Sequence, residues 1–238
     1  MKKVVFSLAI LLLFSCKKET VSNSNSSNSI SSAGSGVSDV NGKLYKTIKI
    51  GNQEWMAENL DVTQFNDGTQ IKKENGNRDA MAIVTWLKIN YGIWCNQYNQ
   101  PEYGKIYNGY VVESKKACPT GWHIPSKVEW ETLINTLGGE YEAGKKLKQT
   151  GYEFWKKSDW MSSSDTATNS SGFSAIPTGG ISAGLNLATM DARYWTSDLT
   201  NVVIENDFHS VIVTKIITDN DLKRDKLSDA AAIRCLKD

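Results

Sequence analysis

The most regular pattern of apolar and polar positions in the chain lies between residues 118 and 139. Ser126 and Glu129 have the spacing of a capping box, in which each side chain satisfies an exposed backbone N–H at the start of a helix. The two glycines that close the segment tolerate the left-handed conformation common at a helix C-terminus. The sequence therefore predicts an amphipathic helix over residues 126–137. Its apolar face carries Trp130, Leu133, Ile134 and Leu137 at helical spacing.

A second, shorter helix is predicted over residues 140–149, where Ala143 and Leu147 lie four positions apart on one face. After residue 178 the chain alternates between short apolar runs and turns, which predicts a series of short strands. These runs include residues 181, 194–195, 202–204, 211–213, 216–217 and 231–236.

Before the helices, two short segments predict a β-hairpin. Residues 44–50 and 53–56 are rich in β-branched and apolar side chains and are separated by a Gly-Asn turn. Residues 107–112 fit either a short strand or a helical turn, and residues 155–178 fit a long polar loop. Two helices and many short, mostly antiparallel strands indicate an α+β fold. Because its first and last segments are both extended, we expect them to lie close together.

The N-terminus is typical of an export signal. Two lysines precede an apolar run over residues 4–14, which is too short to span a membrane as a helix. The residues that follow resemble the lipobox of bacterial lipoproteins, where the chain is cleaved before a cysteine that then carries lipid. We therefore predict a signal peptide over residues 1–15 and lipidation of Cys16, with an ordinary secretory signal as the alternative. Lipid chains on Cys16 would attach the protein to a membrane.

The segment after Cys16 is rich in Ser, Asn and Gly and has almost no large apolar side chains. Such a composition buries too little surface to offset the entropy of ordering. We therefore predict a flexible tether over residues 16–38 and one domain over residues 39–238. A lipid-anchored chain belongs to the cell envelope, and we predict the outer membrane. Only one acidic residue, Glu19, closely follows the cysteine, so the sequence leaves the membrane face open.

Charge and cysteine content narrow the function further. A formal net charge of +1 over 238 residues gives no electrostatic basis for binding nucleic acid. Three cysteines remain after lipidation: Cys95, Cys118 and Cys235. An exported chain reaches an oxidising compartment, so one disulfide and one free thiol are expected. Spacing alone leaves the pairing open, and three buried thiols are the alternative.

Several motifs together resemble the Fibrobacter succinogenes major paralogous domain, a family of secreted and lipid-anchored bacterial proteins. The resemblance covers residues 39–238. The matching segments are KTIKIGNQEWMAENL at 46–60, FNDGT at 65–69, CPTGWHIPS at 118–126 with Glu129 and Trp130, AGKKLK at 143–148, GFSAIP at 172–177, YWTS at 194–197 and IRCLKD at 233–238.

The resemblance implies a C-type-lectin-like fold, related to that of formylglycine-generating enzymes. In those folds a disulfide joins the helix region to the last strand, which implies a Cys118–Cys235 bond in this chain. Such a bond would close a loop of more than a hundred residues and stabilise the fold by about 4–5 kcal/mol. The family resemblance implies no particular activity.

The sequence shows no catalytic constellation. Of its two histidines, His123 lies between Trp122 and Ile124 inside a fold-determining motif, and His209 stands alone. A formylglycine-generating activity would need a reactive cysteine, and Cys95 has no identifiable base near it in the sequence. We therefore predict that the chain is not an enzyme and holds no metal or cofactor. An enzyme of the formylglycine-generating type is the alternative.

Candidate ligand residues lie in the loops after the helices, because loops positioned by a rigid scaffold usually carry binding. Aromatic rings there could stack on sugars, and carboxylates could accept hydrogen bonds from hydroxyl groups. The candidates are Trp160, Asp165, Trp195 and Asp198. The alternative is that Trp195 belongs to the core. Residues 100–102 resemble the Gln-Pro-acid motif of calcium-dependent lectins but precede the helices, so bound calcium is only an alternative.

Together these features predict a lipid-anchored binding or adhesion module of the cell envelope. Its expected partners are an extracellular polysaccharide or an envelope protein, contacted through the loops after the helices, together with the membrane itself. The alternative within the same compartment is a structural envelope component with no small ligand.

Overall fold

The computed structural model describes residues 30–74, 91–96, 103–151, 155, 167–182, 185–187, 191–206, 212–217, 227 and 229–238. Within these residues the helices are α1 (Gly109–Ser114), α2 (Lys127–Thr136) and α3 (Glu140–Leu147). The strands are β1 (Ser31–Ala33), β2 (Val37–Ser38), β3 (Leu44–Tyr45), β4 (Thr47–Ile50), β5 (Gln53–Met56), β6 (Lys72–Lys73), β7 (Ile93–Asn96), β8 (Lys105–Asn108), β9 (Trp122–His123), β10 (Gly180–Ser182), β11 (Leu185–Leu187), β12 (Asp191–Trp195), β13 (Asn201–Asn206), β14 (Ile212–Ile217), β15 (Ala230–Ala231) and β16 (Leu236–Lys237). Short, mostly antiparallel strands beside helices confirm the α+β class.

Helix α2 forms where the sequence predicts it and for the predicted reason. The backbone N–H of Glu129 donates to Ser126 Oγ at 3.3 Å, and the backbone N–H of Ser126 donates to Glu129 Oε2 at 2.7 Å. Both partners of the capping box are therefore engaged. Gly138 and Gly139 follow the helix with φ of 103° and 88°, values that favour glycine.

The described residues contain one helix more than the two predicted. Helix α3 matches the predicted second helix, whereas α1 lies in the segment that fitted either a strand or a helical turn. Both alternatives occur there, because β8 ends at Asn108 and α1 begins at Gly109. Lys115, with φ of 56°, ends α1 in the left-handed conformation. None of the helices in the described ranges is long and apolar enough to cross a membrane.

The first and last strands share one sheet, as the sequence predicts. The five-stranded sheet has the order β1-β4-β5-β16-β9. The predicted hairpin is β4 and β5, with Ile48 opposite Trp55. The last strand lies between this hairpin and the central motif, because Leu236 is opposite both Trp55 and His123. The beginning, middle and end of the chain are thus held together by one sheet.

The predicted tether is too long at its C-terminal end. Residues 30–38 contain β1, which pairs with β4, and β2, which pairs with β3. Composition does not reveal this, because few apolar side chains take part; Val37 is one that packs against a core cluster. Backbone pairing at the sheet edge supplies the contacts, and Ser35 donates through its N–H and its Oγ to Glu54 Oε1 at 2.6 and 2.7 Å. Residues 1–29 lie outside the described residues.

Two further sheets complete the scaffold. One has the order β11-β10-β15-β8-β7-β6, and the other is the antiparallel β12-β13-β14. Helix α3 lies against β14. Residues 167–178 of the predicted long loop contain no helix or strand. In the six-stranded sheet, strand β15 near the end of the chain pairs with β8. The segment that leads from β15 to the last strand, β16, therefore starts beside β8.

An aromatic cluster forms the centre of the main core. Trp55 lies 4.7 Å from Trp130, centroid to centroid, and Trp130 stacks on Tyr194 at 5.5 Å. Phe173 contacts all three rings at 5.7–5.9 Å. All four side chains are fully buried. The helix α2 is therefore held to the hairpin and to β12 by ring packing of the kind that stabilises cores beyond the burial of area.

Cys118 and Cys235 form a disulfide, as the family resemblance implies. The bond joins the segment before β9 to the segment before β16. Strands β9 and β16 are themselves neighbours in the five-stranded sheet. Cys95 is a free, buried thiol on β7.

Candidate functional site

Trp195 is not a ligand residue. Its side chain is completely buried in the core, and its indole N–H donates to the backbone carbonyl of Tyr107 at 2.7 Å. A sugar has no access to this ring, so this part of the prediction is wrong. The mistake has a physical cause, since an aromatic residue next to a polar loop can mark either a binding surface or the last core position of a strand. Trp195 is the last residue of β12.

Asp198 is exposed, but its carboxylate is already engaged. The backbone N–H of Lys127, the first residue of α2, donates to Asp198 Oδ2 at 2.6 Å. A carboxylate at a helix N-terminus satisfies an unpaired N–H and is favoured by the helix dipole. The structure therefore gives Asp198 a role in fixing the 196–200 turn against α2. Trp160 and Asp165 lie outside the described residues.

The structure instead presents a cavity of about 570 Å³ beside β3, within the size range of ligand sites. Its wall comes from residues 43, 44 and 46, from residues 57–59 and 61 after β5, and from residues 103, 104, 149, 172, 174 and 176, with Arg234 from the segment before β16. We call the buried lining side chains Asn59, Tyr103 and Arg234 the floor of the cavity. The exposed lining side chains Lys43, Leu44 and Lys46 form its rim.

Arg234 is a buried cation held by uncharged acceptors. Its Nε–H donates to Asn59 Oδ1 at 2.6 Å, and Nη2 donates to the carbonyl of Ser174 at 3.0 Å. Nη1 donates to the carbonyls of Met56, at 3.3 Å, and Phe173. In the part of the chain that the structure describes, none of its hydrogen-bond acceptors is a carboxylate. Burial lowers the pKa of Arg234 from its ordinary value.

The guanidinium also packs on the aromatic cluster of the core. Its carbon atom lies 4.4 Å from the ring centroid of Phe173 and 5.5 Å from that of Tyr194. Aromatic faces attract cations, and this attraction is stronger where water is excluded. Arg234 therefore contacts the aromatic core and also lines the cavity. A change in its position would affect both.

Asn59 has an amide donor without an acceptor. Arginine has only donors, so the hydrogen bond to Arg234 fixes Oδ1 towards the guanidinium and leaves Nδ2 to point elsewhere. Nδ2 is buried and has no hydrogen-bond partner within the described residues. Gly104 lies next to this amide, because a Cβ at that position would be 3.9 Å from Nδ2, and its φ of 80° favours glycine. The floor of the cavity thus contains a buried, unmatched donor next to a position without a side chain.

Backbone strain occurs in the wall next to Arg234. Ser174 and Asn169 have φ of 55° and 47°, in the left-handed region that non-glycine residues seldom occupy. Two hydrogen bonds join these residues. The backbone N–H of Ser174 donates to Asn169 Oδ1, and Asn169 Nδ2 donates to Ser174 Oγ, both at 2.9 Å. This conformation turns the Ser174 carbonyl to Arg234. Such strain persists only where the surroundings enforce it, and it is concentrated at functional sites.

The lining of the cavity carries charges of both signs. Asp61 pairs with Lys43 at 2.8 Å and also with Lys105. Partial burial raises the pKa of Asp61, but the two lysines outweigh this and lower it. Lys46 and Glu58 line the same cavity and form no ion pair with any residue that the structure describes. These two side chains are therefore available to a ligand.

The predicted structural role of His123 fits its surroundings. Nδ1 lies 2.6 Å from Asp238 Oδ1, and Nε2 lies 3.0 Å from Glu129 Oε1. Burial lowers the pKa of His123, but the hydrogen bonds to the two carboxylates outweigh it and raise the pKa. The carboxylates face opposite edges of the ring, so they do not converge on one point. Within the described ranges, no group of three or more His, Cys, Asp or Glu side chains could hold a metal ion. His209 and residues 100–102 lie outside those ranges.

Cys95 has none of the properties of a reactive thiol. Its side chain is buried in a small apolar cluster with Ile93, Ile106 and Ile181. Burial, reinforced by the charge of Glu74, raises its pKa to about 12. A thiol with this pKa is almost entirely protonated at neutral pH and is a poor nucleophile.

The floor residues were not among the predicted site residues. Asn59 and Arg234 lie inside two of the motifs quoted above, and their polarity was a usable signal. Arg234 is the only charged position in the apolar run Ala231-Ala232-Ile233-Arg234-Cys235-Leu236. A long cation in a run that is otherwise a core strand has to find buried acceptors. The acceptors themselves come from distant segments and cannot be read from local spacing.

Comparison with known proteins supports the family resemblance. The model of the Fibrobacter succinogenes major domain matches residues 48–237, which include the three floor residues but begin after the three rim residues. No curated protein and no solved structure matches the chain. The predicted likeness to C-type lectins therefore stays a prediction. Because the match covers most of its length, the chain belongs to the Fibrobacter succinogenes major domain family.

Proposed function

We propose that this protein is a lipid-anchored binding module of the bacterial cell envelope and that the cavity around Asn59 and Arg234 is its ligand site. The observation that carries the proposal is the buried, unpartnered Nδ2 of Asn59 in the floor of an open cavity. A buried donor without an acceptor costs about 1–3 kcal/mol, which a ligand acceptor would recover.

The lining favours a polar ligand with many hydroxyl groups. It combines an amide donor at Asn59, the amide of Gln149, the hydroxyl of Ser174 and charges of both signs. A sugar hydroxyl both donates and accepts, so it can satisfy neighbouring groups of opposite kind. Leu44, which is 70% exposed at the rim, offers an apolar surface to the C–H groups of a sugar ring. We therefore propose an extracellular polysaccharide as the ligand, with a protein partner as the outcome to be tested against it.

The anchor is a separate part of the proposal and rests on the N-terminal sequence. A short apolar run after two lysines ends at Cys16, in a setting that resembles a lipobox. We propose that Cys16 carries lipid and that the protein is held at the outer membrane. Incorporation of labelled fatty acid tests this directly. The C16S variant is expected to lose the label and to leave the membrane fraction, whereas a labelled C16S protein would contradict lipidation at this position.

The ligand proposal is tested with the full chain in detergent on a panel of neutral and acidic bacterial polysaccharides, with and without calcium. Binding is expected to persist in a chelator, since the cavity wall offers hydrogen-bond donors and paired charges for recognition. The critical variant is N59D. It retains an oxygen for the Arg234 Nε–H, replaces the Nδ2 donor with an acceptor and adds a negative charge.

We expect N59D to fold normally and to bind polysaccharide at least tenfold more weakly, about the effect of one lost buried hydrogen bond. The matched control is N52D, the same substitution at an exposed turn residue between β4 and β5. Equal binding by wild type, N52D and N59D would exclude this cavity. Silence on the whole panel, with one envelope protein co-purifying instead, would favour a structural component.

A further inference from the structure

We propose that the ligand of this cavity carries a carboxylate, and that the polysaccharide is therefore one that contains uronic acids. This inference rests on the function proposed above and concerns the chemical class of the ligand. Three observations lead to it: the charge balance of the lining, the uncharged acceptors of Arg234, and the presence in one lining of the Asn59 donor and a lysine without an ion-pair partner.

The cavity has more positive than negative charge. Lys43, Lys46 and Arg234 line it, against Glu58 and Asp61. The charge of Asp61 is already shared between Lys43 and Lys105, of which Lys105 is not part of the lining. The surplus is therefore positive even though Glu58 belongs to the same wall. A ligand carboxylate would reduce this surplus, whereas a neutral sugar would leave it unchanged.

The buried charge of Arg234 points in the same direction. Burying a charged group is costly unless it is paired. Its hydrogen-bond acceptors in the described residues are three backbone carbonyls and one amide oxygen. Glu58 interacts with it electrostatically but without a hydrogen bond. An anion in the cavity would bring a second negative charge close to the guanidinium without displacing any of its existing acceptors.

The donors at the floor and rim suit the two oxygens of a carboxylate. Asn59 Nδ2 is a buried donor that needs an acceptor, and a charged acceptor makes the stronger hydrogen bond. Lys46 has no ion-pair partner among the described residues and extends from the rim on the long, flexible stem of lysine. One carboxylate oxygen would accept from Asn59 while the other faces Lys46. Glu58 would then lie beside the sugar hydroxyls, which can donate to it.

The test uses one polysaccharide in two chemical forms. Polygalacturonate is compared with the same polymer after its carboxyl groups have been reduced to primary alcohols, in a chelator and with the full chain in detergent. We expect the acidic form to bind at least tenfold more tightly than the reduced form. K46Q is expected to lose about tenfold for the acidic form, the loss of one hydrogen bond to a charged group, and little for the reduced form. K49Q, an exposed lysine on β4 that is outside the cavity lining, is the matched control.

The outcomes separate this inference from the proposed function. Equal binding of both forms, still weakened by N59D, would keep the cavity as the site and overturn the carboxylate. Tighter binding of the acidic form that is reduced equally by K46Q and K49Q would show general attraction between charges and would also overturn it. Tighter binding of phosphate-bearing polymers than of polygalacturonate would assign a different anion. Binding of neither form, together with a silent panel, would overturn the polysaccharide function itself.

Discussion

Arg234 and Asn59 are 175 positions apart in the sequence, and the Nε–H of Arg234 donates to Oδ1 of Asn59 at 2.6 Å. This hydrogen bond fixes the orientation of the amide. Its oxygen faces the guanidinium, so its Nδ2 is left as a buried, unmatched donor in the floor of the cavity. Arg234 packs against the aromatic core and, through this hydrogen bond, also determines which atom of Asn59 is left for a ligand.

Replacing Arg234 is expected to destabilise the protein strongly. In R234M the buried carbonyls of Phe173 and Ser174 and the oxygen of Asn59 would lose their donor. Each buried acceptor left without its donor costs about 1–3 kcal/mol, so the loss of several at once should lower the free energy of unfolding by a few kcal/mol. Urea unfolding followed by tryptophan fluorescence would measure this free energy of unfolding. The control is K46M, which removes a cation from the exposed rim. A loss of less than about 1 kcal/mol in R234M would contradict the central position given to Arg234.

Docking of the N-terminal strand is expected to weaken in acid. Burial raises the pKa of Glu54, but hydrogen bonds from Ser35, Thr47 and Lys237 outweigh it and lower the pKa to about 2. A lowered pKa means that the contribution of Glu54 to stability is fully present above its ordinary value of 4.5. It is lost as the pH falls from there to about 2. Amide hydrogen exchange in β1 should therefore accelerate over this range.

Two variants test the docking of the N-terminal strand at neutral pH. E54Q removes the charge and should accelerate exchange in β1 while leaving α2 protected, whereas E131Q at a half-exposed position of α2 should change neither. In G34A the new Cβ would lie 2.1 Å from Thr47 Oγ1 and 2.8 Å from the Thr47 carbonyl carbon, so the strand has to move away from β4. Unchanged protection of β1 in both variants would show that it is held by other contacts.

The ionisation of His123 is expected to depend on Glu129. The pKa of His123 is raised, so its contribution to stability is complete below the ordinary value of 6.5 and is lost as the pH rises through the raised pKa. E129Q removes one carboxylate yet keeps the capping box, which accepts Gln in place of Glu. Proton NMR titration should show a lower pKa in E129Q than in the wild type. The H123Q variant identifies the signal, since the chain has two histidines. An unchanged pKa would mean that Asp238 alone sets it.

The Cys118–Cys235 bond is expected to contribute about 4–5 kcal/mol to the free energy of unfolding, because it closes a loop of 117 residues in the unfolded chain. Urea unfolding of the wild type with and without reductant measures this difference. The double variant C118S/C235S provides the control, since reductant should have no effect on it. A difference well below 2 kcal/mol would show that the sheet pairing of β16 alone holds the C-terminal segment in place.

The parts of the fold that depend on local sequence were predictable. Helix α2 follows from Ser126, Glu129 and an apolar face within twelve residues, and the β4–β5 hairpin follows from one turn between two short apolar segments. The disulfide was predictable only through the family resemblance, because the spacing of three cysteines allows every pairing. Strand β1 was not predictable from composition. Its docking depends on backbone pairing and on Ser35 reaching Glu54, neither of which leaves an apolar pattern.

The site was harder to predict than the fold for the same reason. Trp195 looked like a binding residue because it borders a polar loop, but its indole N–H finds a buried acceptor on Tyr107, 88 positions away. Asn59 and Arg234 are ordinary polar residues in the sequence. They become a site only when the five-stranded sheet brings the segments after β5 and before β16 together.

The most direct test of the account is a structure of the protein bound to an oligosaccharide from the polysaccharide that it prefers. We expect a ligand oxygen within about 2.7–3.2 Å of Nδ2 of Asn59, the usual range for N–H···O hydrogen bonds. We also expect the Arg234–Asn59 hydrogen bond to be unchanged. A ligand seated elsewhere, for example against Trp160, with Nδ2 of Asn59 still unpaired would contradict it.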